Sequence, residues 1–291
     1  MISFDNIVKL NADSLKIDSP EGKTVELITH GHFDHLPTKV SEKVFVCSDI
    51  TKKMLELRRN KDNISMHSTK AIKMLDSGHT LGSKMFLVNN ELLFTGDFNT
   101  EDRYCGKASP IKCSTLIIES TFAKPNYIFP KSKFVVKDFK DYLGDNENVT
   151  ISAYSFGKAQ EICFMLEKMK IPFYTSYNIQ RINEHLNLNF KHFDKNAGVI
   201  LTNETILGFK RVALSGWAIE HGYERMMKLD KGFVLSDHCD YPSLIEFVKK
   251  CNPDKIYTYH GFNVEMANDL RKIGFDAVPI LNGQKLLSDF I

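Results

Sequence analysis

Short β-rich apolar runs recur along the chain, each closed by a polar loop or followed by a helical pattern. This alternation predicts a mixed α/β protein. Residues 25–29 read as a strand running into a histidine-rich loop. Residues 85–88 and 92–95 flank Asn89-Asn90, which predicts a tight hairpin. Residues 115–119 are apolar up to Glu119, which predicts a buried strand ending in an acid. Past residue 122 the character changes. Pro125, Pro130 and the lysines Lys131, Lys133, Lys137 and Lys140 predict an exposed, irregular passage. Beyond it come a strand at 149–154 and a helix at 155–168 with apolar positions 159, 162, 163 and 166. Strand-like runs at 172–175, 199–202 and 212–215, with a helix near 178–186, complete a small parallel α/β unit. From Gly232 the pattern returns to strands at 233–236, 255–259 and 277–280, with helices from Pro242 and from about residue 263. The division predicts a body of residues 1–122 and 231–291, interrupted by an insert at 123–230.

Composition narrows the class. Apolar residues make up 43% of the 291 positions and charged residues 25%, so wholesale disorder is excluded. No run approaches the roughly 18 consecutive apolar residues of a membrane span. Met1-Ile2-Ser3-Phe4-Asp5-Asn6 has neither a basic nor an apolar signal region, so a cytoplasmic protein is expected. The net charge of +2 is too small to demand a nucleic-acid partner by bulk field alone. The insert is the more basic part, with 15 Lys/Arg against 12 Asp/Glu. Six cysteines form no C-x-x-C pair and are expected to be buried, reduced thiols.

The chemistry sits at strand ends. Thr29-His30-Gly31-His32-Phe33-Asp34-His35 follows the first strand with three imidazoles and a carboxylate in six residues. Such a set suits Zn²⁺, with Mn²⁺ or Fe as alternatives. Gly78-His79-Thr80-Leu81-Gly82-Ser83 places a further His in a glycine-flanked loop, and Thr95-Gly96-Asp97-Phe98 places a carboxylate just past another strand. Glu119 ends a buried strand where an apolar residue would cost less. His238, in Ser236-Asp237-His238-Cys239-Asp240, and His260, in Tyr259-His260-Gly261, follow late strands. A solvated histidine loop would explain one of these motifs, not all of them together.

H-x-H-x-D-H, G-H-x-L-G-S and T-G-D-F together resemble the metallo-β-lactamase superfamily. Glu119-Ser120-Thr121, S-x-H-x-D around His238, His260-Gly261, and Gly157-Lys158-Ala159-Gln160-Glu161 resemble its nucleic-acid-cutting β-CASP branch. Thr95–Phe98, 113–122, Ser215-Gly216-Trp217 and 232–238 are similar to the ligase- and helicase-associated DNA exonucleases, whose archaeal relatives are described as mRNA 3′-end processing factors. The resemblance implies an αββα sandwich carrying a small α/β, β-CASP-like cap. It implies two zinc ions, with manganese as an alternative. His30, His32 and His79 would hold one, Asp34, His35 and His260 the other, with Asp97 between them. His238, oriented by Glu119, would protonate the leaving oxygen. Ser155 and Lys158, at a helix start, would grip a phosphate.

The activity so implied is a nuclease on DNA, an exonuclease in repair or processing, with a DNA ligase or helicase as partner and no membrane. The alternative is a ribonuclease of RNA 3′-end processing or decay. A glyoxalase II- or lactamase-like hydrolase is a third reading, opposed by the insert and by the Glu119/His238 pair. A ligand-poor scaffold subunit is a fourth, opposed by the full ligand set.

Overall fold

The computed structural model describes residues 7–11, 14–18, 24–40, 43–62 and 64–280. Met1–Asn6, expected to carry no export signal, lies outside them. The chain divides into two compact units, Met1–Tyr127 with His238–Ile291, and Ile128–Asp237.

The first unit holds two sheets. One has the order β1 (Ile7–Asn11), β2 (Ser14–Asp18), β3 (Thr24–Ile28), β4 (Val44–Val46). The other runs β15 (Ala277–Pro279), β14 (Lys255–Tyr259), β8 (Thr115–Glu119), β7 (Leu92–Phe94), β6 (Lys84–Val88), β5 (Ile72–Asp76). Strand alternation shows how they stack. On β6, Phe86 and Val88 share a core with Val25, Leu27 and Val46 of the smaller sheet, whereas Met85 and Leu87 face the opposite way. On β8, Ile117 joins that inter-sheet core, while Leu116 and Ile118 pack with Leu244, Phe247 and Val248 of α6 (Tyr241–Cys251) and Met266 and Leu270 of α7 (Asn263–Lys272). On the far side, Ile28 and Phe45 pack against Leu55 of α1 (Asp49–Arg59). The layers therefore run helix, sheet, sheet, helix, the αββα sandwich implied by the motifs. Burying each of these large side chains contributes about 1.5–3 kcal/mol.

The hairpin expected at Asn89-Asn90 forms between β6 and β7. Both asparagines have positive φ, 53° and 61°, the conformation a two-residue type I′ turn requires.

The second unit is a five-stranded, wholly parallel sheet of order β10 (Tyr174–Thr175), β11 (Val199–Leu201), β9 (Val149–Ser152), β12 (Lys210–Leu214), β13 (Lys231–Phe233). It has its own core, centred on Phe139, Ile151, Ile162, Leu166, Leu201 and Phe233. Three expectations change here. The passage expected to be irregular contains α2 (Ser132–Asp145), because Val135, Phe139 and Leu143 repeat at a spacing of four and bury one stripe among the lysines. The helix expected from residue 155 begins later, as α3 (Lys158–Met169). Finally, β13 pairs with β12, and Phe233 enters the second core, so the boundary falls between Asp237 and His238 rather than at 230/231.

All six cysteines are free thiols, and all but Cys105 are buried. Among the described residues no helix is long and apolar enough to cross a membrane.

Candidate metal centre

Strand direction gathers the ligands. In the larger sheet, β14, β8 and β7 are parallel neighbours, so Asp97, Glu119 and His260 leave or end their strands at one edge. The loop holding His79 enters β6, which runs antiparallel to β7, and so lies at the same edge. His30 and His32 follow β3, and residues Phe33–His35 form a single 3₁₀ turn.

Tight backbone turns aim two of these groups. Gly96 has a φ of 55°, and a Cβ there would lie 2.5 Å from the Thr29 side chain, so only glycine lets the chain swing Asp97 inward. His260 sits at φ 61°, unusual for a side chain with a Cβ, and Gly261 beside it passes so close to Ser120 that a Cβ would be 2.5 Å from its carbonyl oxygen.

Three imidazole nitrogens converge. His30 Nε2 is 3.1 Å from His32 Nδ1, and His79 Nε2 is 3.3 Å from the same atom. Ligands about 2.0–2.1 Å from a tetrahedral zinc ion lie about 3.3–3.4 Å apart, so this spacing fits coordination. Asp97 Oδ2 lies 3.7 Å from His30 Nε2, 3.6 Å from His79 Nε2 and 3.7 Å from His35 Nε2. Its other oxygen is 3.8 Å from His260 Nδ1. Asp34 Oδ2 is 3.6 Å from His35 Nε2, though the Asp34 side chain is 80% exposed. Asp97 is thus shared between the two sets of groups.

The donor chemistry fits a cation. Asp97 Oδ1 is buried with no hydrogen-bond partner among the described residues, a costly state for a carboxylate oxygen unless a cation lies beside it. Burial pushes the Asp97 carboxyl up, but His35, His238, His260 and His79 outweigh it and hold the group well below the usual carboxylate range. Burial, with His35, His79 and His32 adding to it, drives the His30 imidazole well below its ordinary value. A neutral imidazole and an ionised carboxylate are the forms that bind metal.

His30, His32, His35 and Asp97 form one group able to hold an ion, and His79, Asp97 and His238 form another. This grouping differs from the motif-based division in two places: His35 lies as near the first set as the second, and His238 comes close enough to count as a donor. His238 is nonetheless set apart by its partner. Its Nδ1 is 3.1 Å from Glu119 Oε1, and its ring centroid is 4.6 Å from that of His79. Glu119 is fully buried, and its second oxygen accepts the Thr121 amide at 2.7 Å.

Two supporting residues escaped the sequence reasoning. Thr29 Oγ1 lies 3.0 Å from His30 Nδ1 and fixes the ring whose other nitrogen faces the cluster. Asn99 Nδ2 donates to the His238 carbonyl at 3.0 Å and ties that loop down. Their only signal was adjacency to a motif residue.

Ser155 and Lys158 belong to the second unit. Ser155 is half-buried, its carbonyl accepting from Gln160 Nε2 at 3.1 Å. Lys158 is buried. Its ammonium donates to Glu161 at 2.9 Å and to the Leu235 carbonyl at 3.1 Å, with Asp237 3.9 Å away. The ammonium expected to grip a phosphate is thus engaged by groups of its own unit.

No family model matches the chain. It is 28% identical over 294 residues to a probable DNA ligase of Opitutus terrae, covering 87% of this chain and 28% of that protein. It is 23% identical over 293 residues to a probable RNase, MJ4, of Methanocaldococcus jannaschii, covering 74% of this chain and 68% of that one. The chain thus spans under a third of the length of the ligase relative. Among solved structures, a protein of unknown function from Enterococcus faecalis V583 superposes with a TM-score of 0.62 at 11% identity, covering 89% of this chain and 79% of that one.

Proposed function

The chain belongs to the metallo-β-lactamase superfamily, in its β-CASP nuclease branch, and from that premise we propose that it hydrolyses phosphodiester bonds of DNA as a metal-dependent exonuclease in repair or processing. One observation carries the reading: a buried carboxylate, Glu119, holds His238 at 3.1 Å directly beside the ligand cluster. Thioester hydrolysis expels a weakly basic thiolate without such an acid, whereas an alkoxide leaving phosphorus is strongly basic and is helped by one.

His30, His32 and His79 would hold one divalent ion and Asp34, His35 and His260 a second, with Asp97 shared. Zinc suits these donors, and manganese is the alternative. Such ions supply Lewis-acid charge to a phosphate and make water nucleophilic near neutral pH. Glu119 accepts the Nδ1 proton of His238, which leaves Nε2 as the atom that can deliver a proton to the leaving oxygen. The carboxylate also favours the cationic imidazole that this step requires.

DNA is chosen over RNA because the likeness to the probable DNA ligase is higher in identity and covers more of the chain than that to the probable RNase. We further propose that it works in the cytoplasm alongside a DNA ligase or a helicase, a pairing for which the likeness to a probable DNA ligase supports the first partner. The test is purified protein with Zn²⁺ or Mn²⁺, offered matched 5′- and 3′-labelled DNA and RNA oligonucleotides. A mononucleotide ladder from DNA is expected. A ladder from RNA alone would transfer the assignment to the ribonuclease alternative.

A further inference from the structure

One side chain of the metal-binding loop has no part in ligand binding. Phe33 lies between His32 and Asp34, yet the residue is 58% exposed. A phenylalanine is ordinarily buried, and leaving it in water forfeits much of the stabilisation that burial contributes. The ring is nonetheless held in place. The Arg59 guanidinium lies 5.0 Å from its centroid and that of Arg58 lies 5.8 Å away. Arg59 is fixed in turn, with Nε donating to the Pro37 carbonyl and Nη2 to the Leu36 carbonyl, both at 2.8 Å. Both arginines come from the last turn of α1, so the ring rests on a helix end. The Leu36 amide, bonded to the Phe33 carbonyl at 3.4 Å, closes the turn that carries it.

A flat apolar surface, braced by cations and adjoining the ligand cluster in sequence, suits one kind of occupant. We propose that Phe33 is a stacking platform for a nucleobase of the substrate strand, with Arg58 and Arg59 adding positive charge behind it. The proposal rests on the nuclease reading and extends it to how the strand is seated. Stacking on an aromatic ring tolerates any base, so the platform confers no sequence preference. The base must leave its duplex neighbours to reach the ring, so single strands and frayed ends are the preferred substrates. The arginines act on the polyanion as a whole and make binding salt-dependent.

The test uses the metal-loaded enzyme and a labelled single-stranded oligonucleotide, comparing F33A, F33L and F33W. Stacking contributes about 1–3 kcal/mol per base, so F33A and F33L are expected to raise KM by about 5- to 150-fold, with the effect larger on KM than on kcat. F33W restores it. Metal content and circular dichroism are measured for each variant, and F33L serves where F33A does not fold. A single abasic nucleotide moved along the strand weakens binding to the wild type at one position near the cut, and F33A is indifferent to it there. An active enzyme with a flat abasic scan, or with F33L indistinguishable from wild type, overturns the stacking role and leaves the nuclease reading intact. A wild type that cuts no polynucleotide removes the nuclease reading, and the platform with it.

Discussion

Each unit of the molecule contains a carboxylate buried against a basic side chain, Glu161 with Lys158 and Glu119 with His238, and these two pairs have opposite fates. In the second unit, Lys158 and Glu161 are both sealed, with side chains 5% and 4% exposed, and the lysine's further partners are Leu235 and Asp237. In the first unit, Glu119 is equally buried but His238 keeps 18% of its side chain exposed, beside groups able to hold a metal ion. The first arrangement satisfies all its charges internally and can only hold structure together. The second keeps the histidine ring partly exposed beside groups able to hold a metal ion, the setting that proton delivery needs. Burial of an ion pair is therefore no sign of function by itself. What separates the two is whether the basic partner still faces something.

The largest expected effect comes from removing what His238 faces. Asp97→Ala should abolish cleavage and lower bound metal from about two ions per chain, the complement of a two-metal site. Elemental analysis of protein prepared without chelators checks this. Retention of two ions with activity intact would end the shared-carboxylate assignment.

Next comes the pair itself. His238→Ala should lower turnover by about 10²–10⁴, the range for losing a general acid, with metal content near wild type. This separates the two roles that the geometry allows His238. If metal content collapses along with turnover, His238 is a ligand, and the group it forms with His79 and Asp97 is a coordination set.

The sealed pair predicts a change of another kind. Lys158→Ala leaves the Glu161 carboxylate buried without its cation, which costs about 3–5 kcal/mol of stability, whereas Lys158→Met combined with Glu161→Leu should be close to neutral. Denaturant midpoints measure both. The salt dependence of nucleic-acid binding should not change in the folded double variant, because an ammonium engaged with Glu161 and Leu235 contacts no phosphate. A slope lowered by about one phosphate contact would return Lys158 to the binding surface.

The candidate ligands that the structure brings together were legible in sequence because coordination chemistry restricts such groups to few residue types, and strand ends restrict them to few places. His30, His32, His79 and Asp97 follow from that alone. Lys158 was not legible, because whether a helix-start lysine points out or in depends on Glu161 and Leu235, the latter 77 residues away in sequence. The same holds for β13: Gly232-Phe233 reads as a strand in either unit, and only its pairing with β12 decides which. The α2 stripe was hidden by lysines that dominate its composition while Val135, Phe139 and Leu143 carry its packing.

The smallest expected effect concerns Thr29, whose hydroxyl does for His30 what Glu119 does for His238. Each fixes one ring nitrogen so that the other is presented to the cluster, at 3.0 Å for Thr29 and 3.1 Å for Glu119. Thr29 is neutral, however, and orients the ring without stabilising a charged imidazole. Thr29→Val keeps the shape beside Gly96 and removes only the hydroxyl. Loss of a hydrogen bond to a metal-binding histidine typically weakens metal affinity by about 10–100-fold, so competition with a chelator should show a shift of that size. Activity at saturating metal should fall far less than for His238→Ala, since His30 moves no proton. If Thr29→Val matches the His238 variant in turnover at saturating metal, the distinction between a ring held for binding and a ring held for proton transfer does not apply to this site.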